Sequence, residues 1–132
     1  VTSTPDCHTE LLDVAGGARR PLPWDPFTSG SGWVDVLGGD LQRTLVLTTN
    51  DLTGDSTIQL VDHDSGLVAA QTLTGYVWRS RVQMLPGGPG YLVAPEPGRS
   101  VTLSVPTDGG GVEQHVVAEG SGQLVAIFLI PH

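Results

Sequence analysis

Apolar residues in this chain occur in short runs that Gly, Pro, Asn or Asp interrupts at frequent intervals. Most runs have the length of β-strands, about four to eight residues, and no window shows the period of an amphipathic helix. The links between runs are mostly of hairpin length, which favours antiparallel pairing. The pattern therefore predicts an all-β protein built from antiparallel strands.

The clearest hairpin is predicted near the middle of the chain. Residues 57–61 and 67–73 are apolar-rich runs on either side of the turn Asp62-His63-Asp64-Ser65-Gly66, a composition typical of hairpin turns. Before this hairpin, residues 41–49 place leucines on one side of an extended chain and threonines on the other. This alternation predicts a half-buried strand whose threonines face solvent.

Two further runs predict strands in the core. Residues 76–85 predict the longest alternating strand, with Trp78 in the core and with Arg79 and Arg81 on the opposite face. Residues 124–130 are consecutive apolar residues. A run that is apolar on both faces predicts a central strand that is covered on both sides.

These elements predict an antiparallel β-sandwich, either jelly-roll or Ig-like, with a closed β-barrel as the second choice. A chain of 132 residues is a natural size for one domain, so we expect a single β-sandwich domain over residues 1–132. A Pro-rich loop at about residues 20–32 interrupts the strands. Its prolines fix φ and remove amide donors, which predicts an extended loop or an edge segment.

The charge balance excludes several classes of partner. The chain has 14 acidic and 6 basic residues, a net charge of −8, and no lysine. Nucleic acid and anionic membrane surfaces both need a basic footprint, so neither is an expected partner. No apolar run is long enough to span a bilayer, and we expect no membrane insertion. Without lysine, Schiff-base chemistry and a P-loop are excluded.

Composition also favours an extracellular location. The chain begins at Val1, has few cations and is rich in Gly, Ser and Thr. We expect a secreted or cell-surface protein, with its leader removed or as a fragment of a larger extracellular protein. Its arginine-only usage is typical of a high-GC bacterial genome. The single cysteine, Cys7, allows no internal disulfide and is either inert or part of an intermolecular bridge.

Two acidic turns suggest calcium as a stabilising ion, with no other cofactor expected. Asp62 and Asp64 are spaced as in the opening of an oxygen-ligand loop, and Asp51 and Asp55 offer further oxygens from the neighbouring loop. If both turns lie at one end of a sheet, together they supply enough ligands. The alternative is an ordinary hairpin turn, which Asp, Ser and Gly also form.

Aromatic and arginine side chains provide the candidate ligand-binding residues. Trp24, Asp25 and Phe27 lie in the proline-stiffened loop, where an exposed aromatic ring can stack on a sugar or anchor a protein partner. Alternatively, Trp24 and Phe27 fold back to plug one end of the sandwich. Arg79 and Arg81 either form a solvated strand face or recognise an acidic ligand.

Catalytic motifs are missing from the chain. It has no serine in a G-x-S-x-G pattern, no His-Glu-x-x-His and no Cys-x-x-Cys, which favours a protein without enzymatic activity. We therefore expect a noncatalytic binding or accessory module that recognises a glycan or protein surface through loops at one end of the sandwich. One alternative is a subunit of a surface, fibre or capsid assembly, which would oligomerise. The other is a small β-barrel enzyme with an apolar pocket that holds His115 or Arg81.

Overall fold

A computed structural model describes residues 10–23, 32–95, 99–122, 127 and 129–130. Within these ranges the protein has ten strands and one 3-10 helix, Arg79–Arg81. None of the described residues forms a helix with the length and hydrophobicity needed to cross a membrane. The strands are β1 (Glu10–Leu12), β2 (Arg19–Pro21), β3 (Gly32–Gly39), β4 (Arg43–Asn50), β5 (Ser56–Asp62), β6 (Gly66–Leu73), β7 (Val82–Met84), β8 (Tyr91–Val93), β9 (Ser100–Pro106) and β10 (Val112–Glu119).

The strands form three antiparallel sheets. Strands β1 and β2 pair as a small hairpin, β3 to β6 form the first four-stranded sheet, and β7 to β10 form the second. The all-β, antiparallel prediction is thus confirmed, including the hairpin of β5 and β6. No described sheet closes into a barrel. Jelly-roll or Ig-like topology is not confirmed, because consecutive strands are neighbours throughout both four-stranded sheets, whereas a Greek key places non-consecutive strands side by side.

An aliphatic layer joins the two four-stranded sheets, an arrangement consistent with a β-sandwich. Alternate residues of β4 and β5 point into this layer, as the two-residue period of a strand requires. Burying each such side chain stabilises the fold by roughly 1.5–3 kcal/mol. The layer consists of Leu45, Leu47, Ile58 and Leu60 from the first sheet, Val82, Met84, Tyr91 and Val93 from the second, and Val77 from the connection between them.

The two central strands of the first sheet, β4 and β5, are buried on both faces over most of their length. Val46 and Val61 are fully buried, although they point away from the layer that holds their neighbours Leu45 and Leu60. The predicted strand is present as β4, but the prediction that only one of its faces is buried is wrong, and Thr44 is buried as well. The threonines of this strand do not reveal whether their face is buried, because a threonine hydroxyl can bond equally well to water or to a buried partner.

The prediction of one continuous strand over residues 76–85 with Trp78 in the core is also wrong. The chain turns at Gly75, which has a positive φ of 85°, and a regular strand begins only at Val82. Val77 is buried, while Tyr76 and Trp78 on either side of it are exposed. Val77 thus occupies the core position that the sequence pattern predicts for Trp78.

The closing apolar run lies only partly within the described residues. Positions 127, 129 and 130 belong to no strand, and Ile130 is 80% exposed. The prediction of a central strand covered on both faces is therefore wrong at these three positions. The backbone N–H of Ile127 donates instead to the carbonyl of Ser80, at 2.8 Å.

Truncating a leucine of the shared layer should destabilise the protein strongly. We expect Leu60→Ala to lower the free energy of unfolding by about 2–5 kcal/mol, because it removes buried contacts and leaves a cavity. Leu41→Ala makes the same chemical change at a fully exposed position and should stay within about 0.5 kcal/mol of wild type. Urea denaturation measures both. Equal effects of the two substitutions would contradict the position of the core.

Candidate functional site

The two acidic turns lie at opposite ends of β5. Asp51 and Asp55 precede this strand, whereas Asp62 ends it and Asp64 follows in the turn to β6. A strand of this length separates its ends by about 20 Å. The prediction of one calcium site shared by both turns is therefore wrong. Among the described residues, no group of three or more His, Cys, Asp or Glu side chains is placed to hold a metal ion.

Hydrogen bonds within the protein already occupy several of these carboxylates. Asp62 Oδ1 accepts from the backbone N–H groups of Asp64 and Ser65, at 2.9 and 3.0 Å, and Oδ2 accepts from the Gln42 amide at 2.8 Å. The Gln42 amide, followed by the two backbone donors, holds the pKa of Asp62 well below its usual range. Asp55 Oδ1 accepts from the N–H of Gly75 at 3.0 Å. These aspartates shape turns of the first sheet.

The predicted arginine pair does not share one solvent-facing surface. Arg79 is exposed, and its Nη1 lies 4.0 Å from Asp35 Oδ1, whereas Arg81 is buried. The short 3-10 helix rotates the two side chains apart, because three residues complete a full turn of such a helix. The other predicted binding residues, Trp24, Asp25 and Phe27, lie outside the described ranges.

Three other aromatic side chains are exposed at the end of the first sheet where the β4–β5 loop lies. Trp33 is 74% exposed, Tyr76 47% and Trp78 58%. With Asp35 and Arg79 we call them the aromatic surface. Trp33 lies near the start of β3, opposite Thr49, and Asp35 follows it on the same face of the strand. The Asp35–Arg79 pair joins this strand to the segment that carries Tyr76 and Trp78.

A buried hydroxyl fixes the backbone that carries the exposed rings. Ser56 Oγ donates to the carbonyl of Gly75 at 3.1 Å and accepts from the N–H of Val77 at 3.0 Å. Val77 is thereby placed in the core layer. Because neighbours in an extended chain point to opposite sides, Tyr76 and Trp78 project into solvent.

The two rings of this segment meet almost at a right angle. The ring centroids of Tyr76 and Trp78 are 4.9 Å apart, and their planes are inclined by 83°, an edge-to-face contact that aromatic quadrupoles favour. The Asp35–Arg79 pair beside them is long, at 4.0 Å, and the guanidinium has more donors than one carboxylate can take. The aromatic surface thus combines ring faces with charged hydrogen-bonding groups.

The alternating pattern of residues 76–85 did not predict this surface, because it places Trp78 in the core. One local signal was available. Thr74-Gly75 is a turn composition, and a turn there permits a new phase in which Val77 faces the core.

A cleft of about 720 Å³ lies at the opposite end of the first sheet. The β1–β2 hairpin forms one wall, and Asp40, Leu41, Thr44 and His63 contribute to the other. His63 is buried and has a partner at each ring nitrogen. Its Nδ1 lies 3.1 Å from the carbonyl oxygen of Leu41, and its Nε2 lies 2.7 Å from the Thr44 hydroxyl. A carbonyl can only accept, so we assign the proton to Nδ1 and the acceptor role to Nε2 in the neutral ring.

These contacts make His63 a tether between the β5–β6 turn and β4. Neither His115 nor Arg81, the groups expected in an enzyme pocket, lines this cleft.

Comparison with protein-family models, curated proteins and solved structures finds no match to this chain. We therefore infer its function from the chemistry of the described residues.

The turn carboxylates predict how stability depends on pH. The pKa of Asp62 is depressed in the folded protein by its hydrogen bonds, and that of Asp40 is depressed chiefly by the N–H of Gly87. A depressed folded-state pKa contributes stability above the unfolded value of about 3.9, and this contribution is lost as pH falls further. We expect Asp62→Asn to be less stable than wild type at neutral pH and to lose less stability on acidification.

Urea denaturation between about pH 2 and about pH 7 measures this difference. Asp108→Asn, in the exposed β9–β10 turn, removes the same charge and should follow the wild-type profile. Parallel profiles for Asp62→Asn and wild type would overturn the assignment of Asp62.

Proposed function

We propose that this protein is a noncatalytic binding module that recognises a glycan through the aromatic surface. The observation that carries the proposal is the exposure of Trp33, Tyr76 and Trp78 at one end of the first sheet, together with the Asp35–Arg79 charged pair. Large apolar side chains grouped on a surface mark sites of interaction. No catalytic group is needed to explain this arrangement.

The chemistry of the aromatic surface suits a sugar. A pyranose presents C–H groups on its faces and hydroxyls around its edge. Aromatic rings can stack on the faces, while the Asp35 carboxylate accepts and the Arg79 guanidinium donates hydrogen bonds to hydroxyls. A specific protein interface buries about 800 Å² on each partner. Five side chains are better matched to one or two sugar units.

Charge favours a neutral glycan over an acidic one. The chain carries a net charge of −8, and Asp51 and Asp55 lie in the loop beside the aromatic surface. A sulfated or uronic-acid glycan would meet repulsion there. Binding of a neutral glycan should depend little on salt, because it neutralises no exposed charge.

The remaining sequence predictions complete this proposal. Trp24, Asp25 and Phe27 precede Trp33 in the chain and stay predicted ligand-binding residues. A secreted or cell-surface location stays an expectation, because neutral glycans of the cell wall and matrix are found there.

Removing one ring of the aromatic surface should weaken glycan binding strongly without unfolding the protein. We expect Trp78→Ala and Trp33→Ala each to weaken glycan binding at least about tenfold, equivalent to about 1.4 kcal/mol, with the melting temperature nearly unchanged because both side chains are exposed. Trp24→Ala belongs in the same series. Affinity electrophoresis in gels containing neutral polysaccharides measures binding, and circular dichroism measures melting.

Leu12→Ala is the matched control, since it removes an exposed apolar side chain on the β1–β2 hairpin at the other end of the sheet. It should bind like wild type. A loss of several kcal/mol of stability in Trp78→Ala, or unchanged retention in both tryptophan variants, would contradict the proposed site.

Strand β10 favours a second candidate function, that of an assembly subunit. It lies at an edge of the second sheet and pairs only with β9 among the described strands, and its Val116 and Val117 are more than half exposed. An edge strand with open backbone groups can pair with another chain.

Size-exclusion chromatography with light scattering over a range of concentrations distinguishes the two functions. Oligomers that form in wild type and are lost in Val117→Lys would support assembly, because a lysine on an edge strand opposes strand pairing. A monomer at every concentration would contradict it.

A further inference from the structure

We propose that the aromatic surface selects a curved glycan chain, in which successive sugars turn relative to one another, over a flat ribbon. This inference rests on the proposed function and deepens it. The observation behind it is the 83° angle between the ring planes of Tyr76 and Trp78, at a centroid separation of 4.9 Å.

A flat glycan such as a β-1,4-linked chain presents its sugar faces in a single plane. Binding such a ribbon requires aromatic rings that lie side by side in that plane. Tyr76 and Trp78 form a corner instead, in which the edge of one ring points at the face of the other. One sugar fits this corner by stacking on one ring and touching the edge of the other. The next sugar must then leave in a new direction.

The arrangement of Tyr76 and Trp78 is preorganised by the protein itself. The N–H of Val77 is held by Ser56 Oγ, and the carbonyl of Trp78 accepts from the N–H of Arg81 at 2.9 Å. The backbone that carries both rings is therefore fixed on each side of Trp78. Making the rings coplanar would sacrifice their edge-to-face contact, which is worth about 0.5–1.5 kcal/mol. A ligand that uses the corner as it stands avoids that cost.

Trp33, Asp35 and Arg79 of the aromatic surface offer further contacts to a curved glycan chain. Trp33 lies on β3, and the Asp35–Arg79 pair lies between this strand and the segment that carries the corner. Asp35 lies two residues from Trp33 and Arg79 directly follows Trp78, so a chain that contacts both tryptophans also comes close to this pair. Its hydroxyls can then bond to the carboxylate and to guanidinium donors that the 4.0 Å ion pair leaves available.

A comparison of curved and flat glycans tests the proposal. The probes are amylose and a soluble β-1,3-glucan as curved chains, and hydroxyethyl cellulose and microcrystalline cellulose as flat ones. We expect wild type to bind at least one curved glycan at least about tenfold more tightly than either flat one, and Trp78→Ala to lose this binding.

Equal or stronger binding to the flat glycans, lost in Trp78→Ala, would overturn the preference for a curved chain and leave the proposed function standing. No binding to any neutral glycan in a broad array would overturn the proposed function itself. The two failures are therefore distinguishable.

Substitutions at Tyr76 test whether the corner causes the preference. Tyr76→Ala removes one ring of the corner and frees Trp78 to turn, so we expect the ratio of curved to flat binding to fall at least about threefold. Tyr76→Phe keeps the ring and should keep the ratio. An unchanged ratio in Tyr76→Ala, with melting as in wild type, would contradict the role of the corner.

Discussion

The aliphatic layer between the two four-stranded sheets constrains the rest of the molecule, including the part exposed to solvent. Val77 enters this layer from the connection between the sheets. In extended backbone the residues on either side of an inward side chain must point outward, so burial of Val77 places Tyr76 and Trp78 on the surface. Exposure of the rings is thus a direct consequence of core packing. A surface made in this way is rigid, because moving it would require opening the core.

Polar groups buried in or beside the layer define how its parts fit together. Ser56 selects Val77 as the inward residue by bonding on both sides of Tyr76. Farther along the layer, the Tyr91 hydroxyl donates to Gln71 Oε1 at 2.5 Å, and Ser104 Oγ donates to the same oxygen at 3.1 Å. Gln71 belongs to β6, while its two partners belong to β8 and β9. These bonds therefore fix the position of one sheet against the other, whereas aliphatic contacts alone tolerate sliding. Burial raises the pKa of Tyr91, so its hydroxyl remains a donor.

The sequence predicted those features that depend on local chemistry. The composition of residues 62–66 predicted the hairpin of β5 and β6, because Asp and Gly favour a turn whatever the position of the strands in the fold. The prediction for residues 76–85 failed because Trp78 is as hydrophobic as a core residue. The hydrogen bond that places Val77 in the core instead comes from Ser56, which is distant in the chain. The prediction that both acidic turns share one calcium site failed for a related reason. The aspartates of the two turns are close in sequence, but β5 holds them at its opposite ends.

The exposure of Trp33 and Trp78 also determines what the fluorescence of these two indoles reports. Tryptophan emission usually follows unfolding, because the indole passes from an apolar interior into water. Here two indoles are largely hydrated in the native state, and Tyr91 is the aromatic residue of the shared layer. Emission from these indoles will thus change little when the sheets separate and strongly when a ring is covered. These two side chains therefore act as an intrinsic optical sensor of a ligand on the aromatic surface.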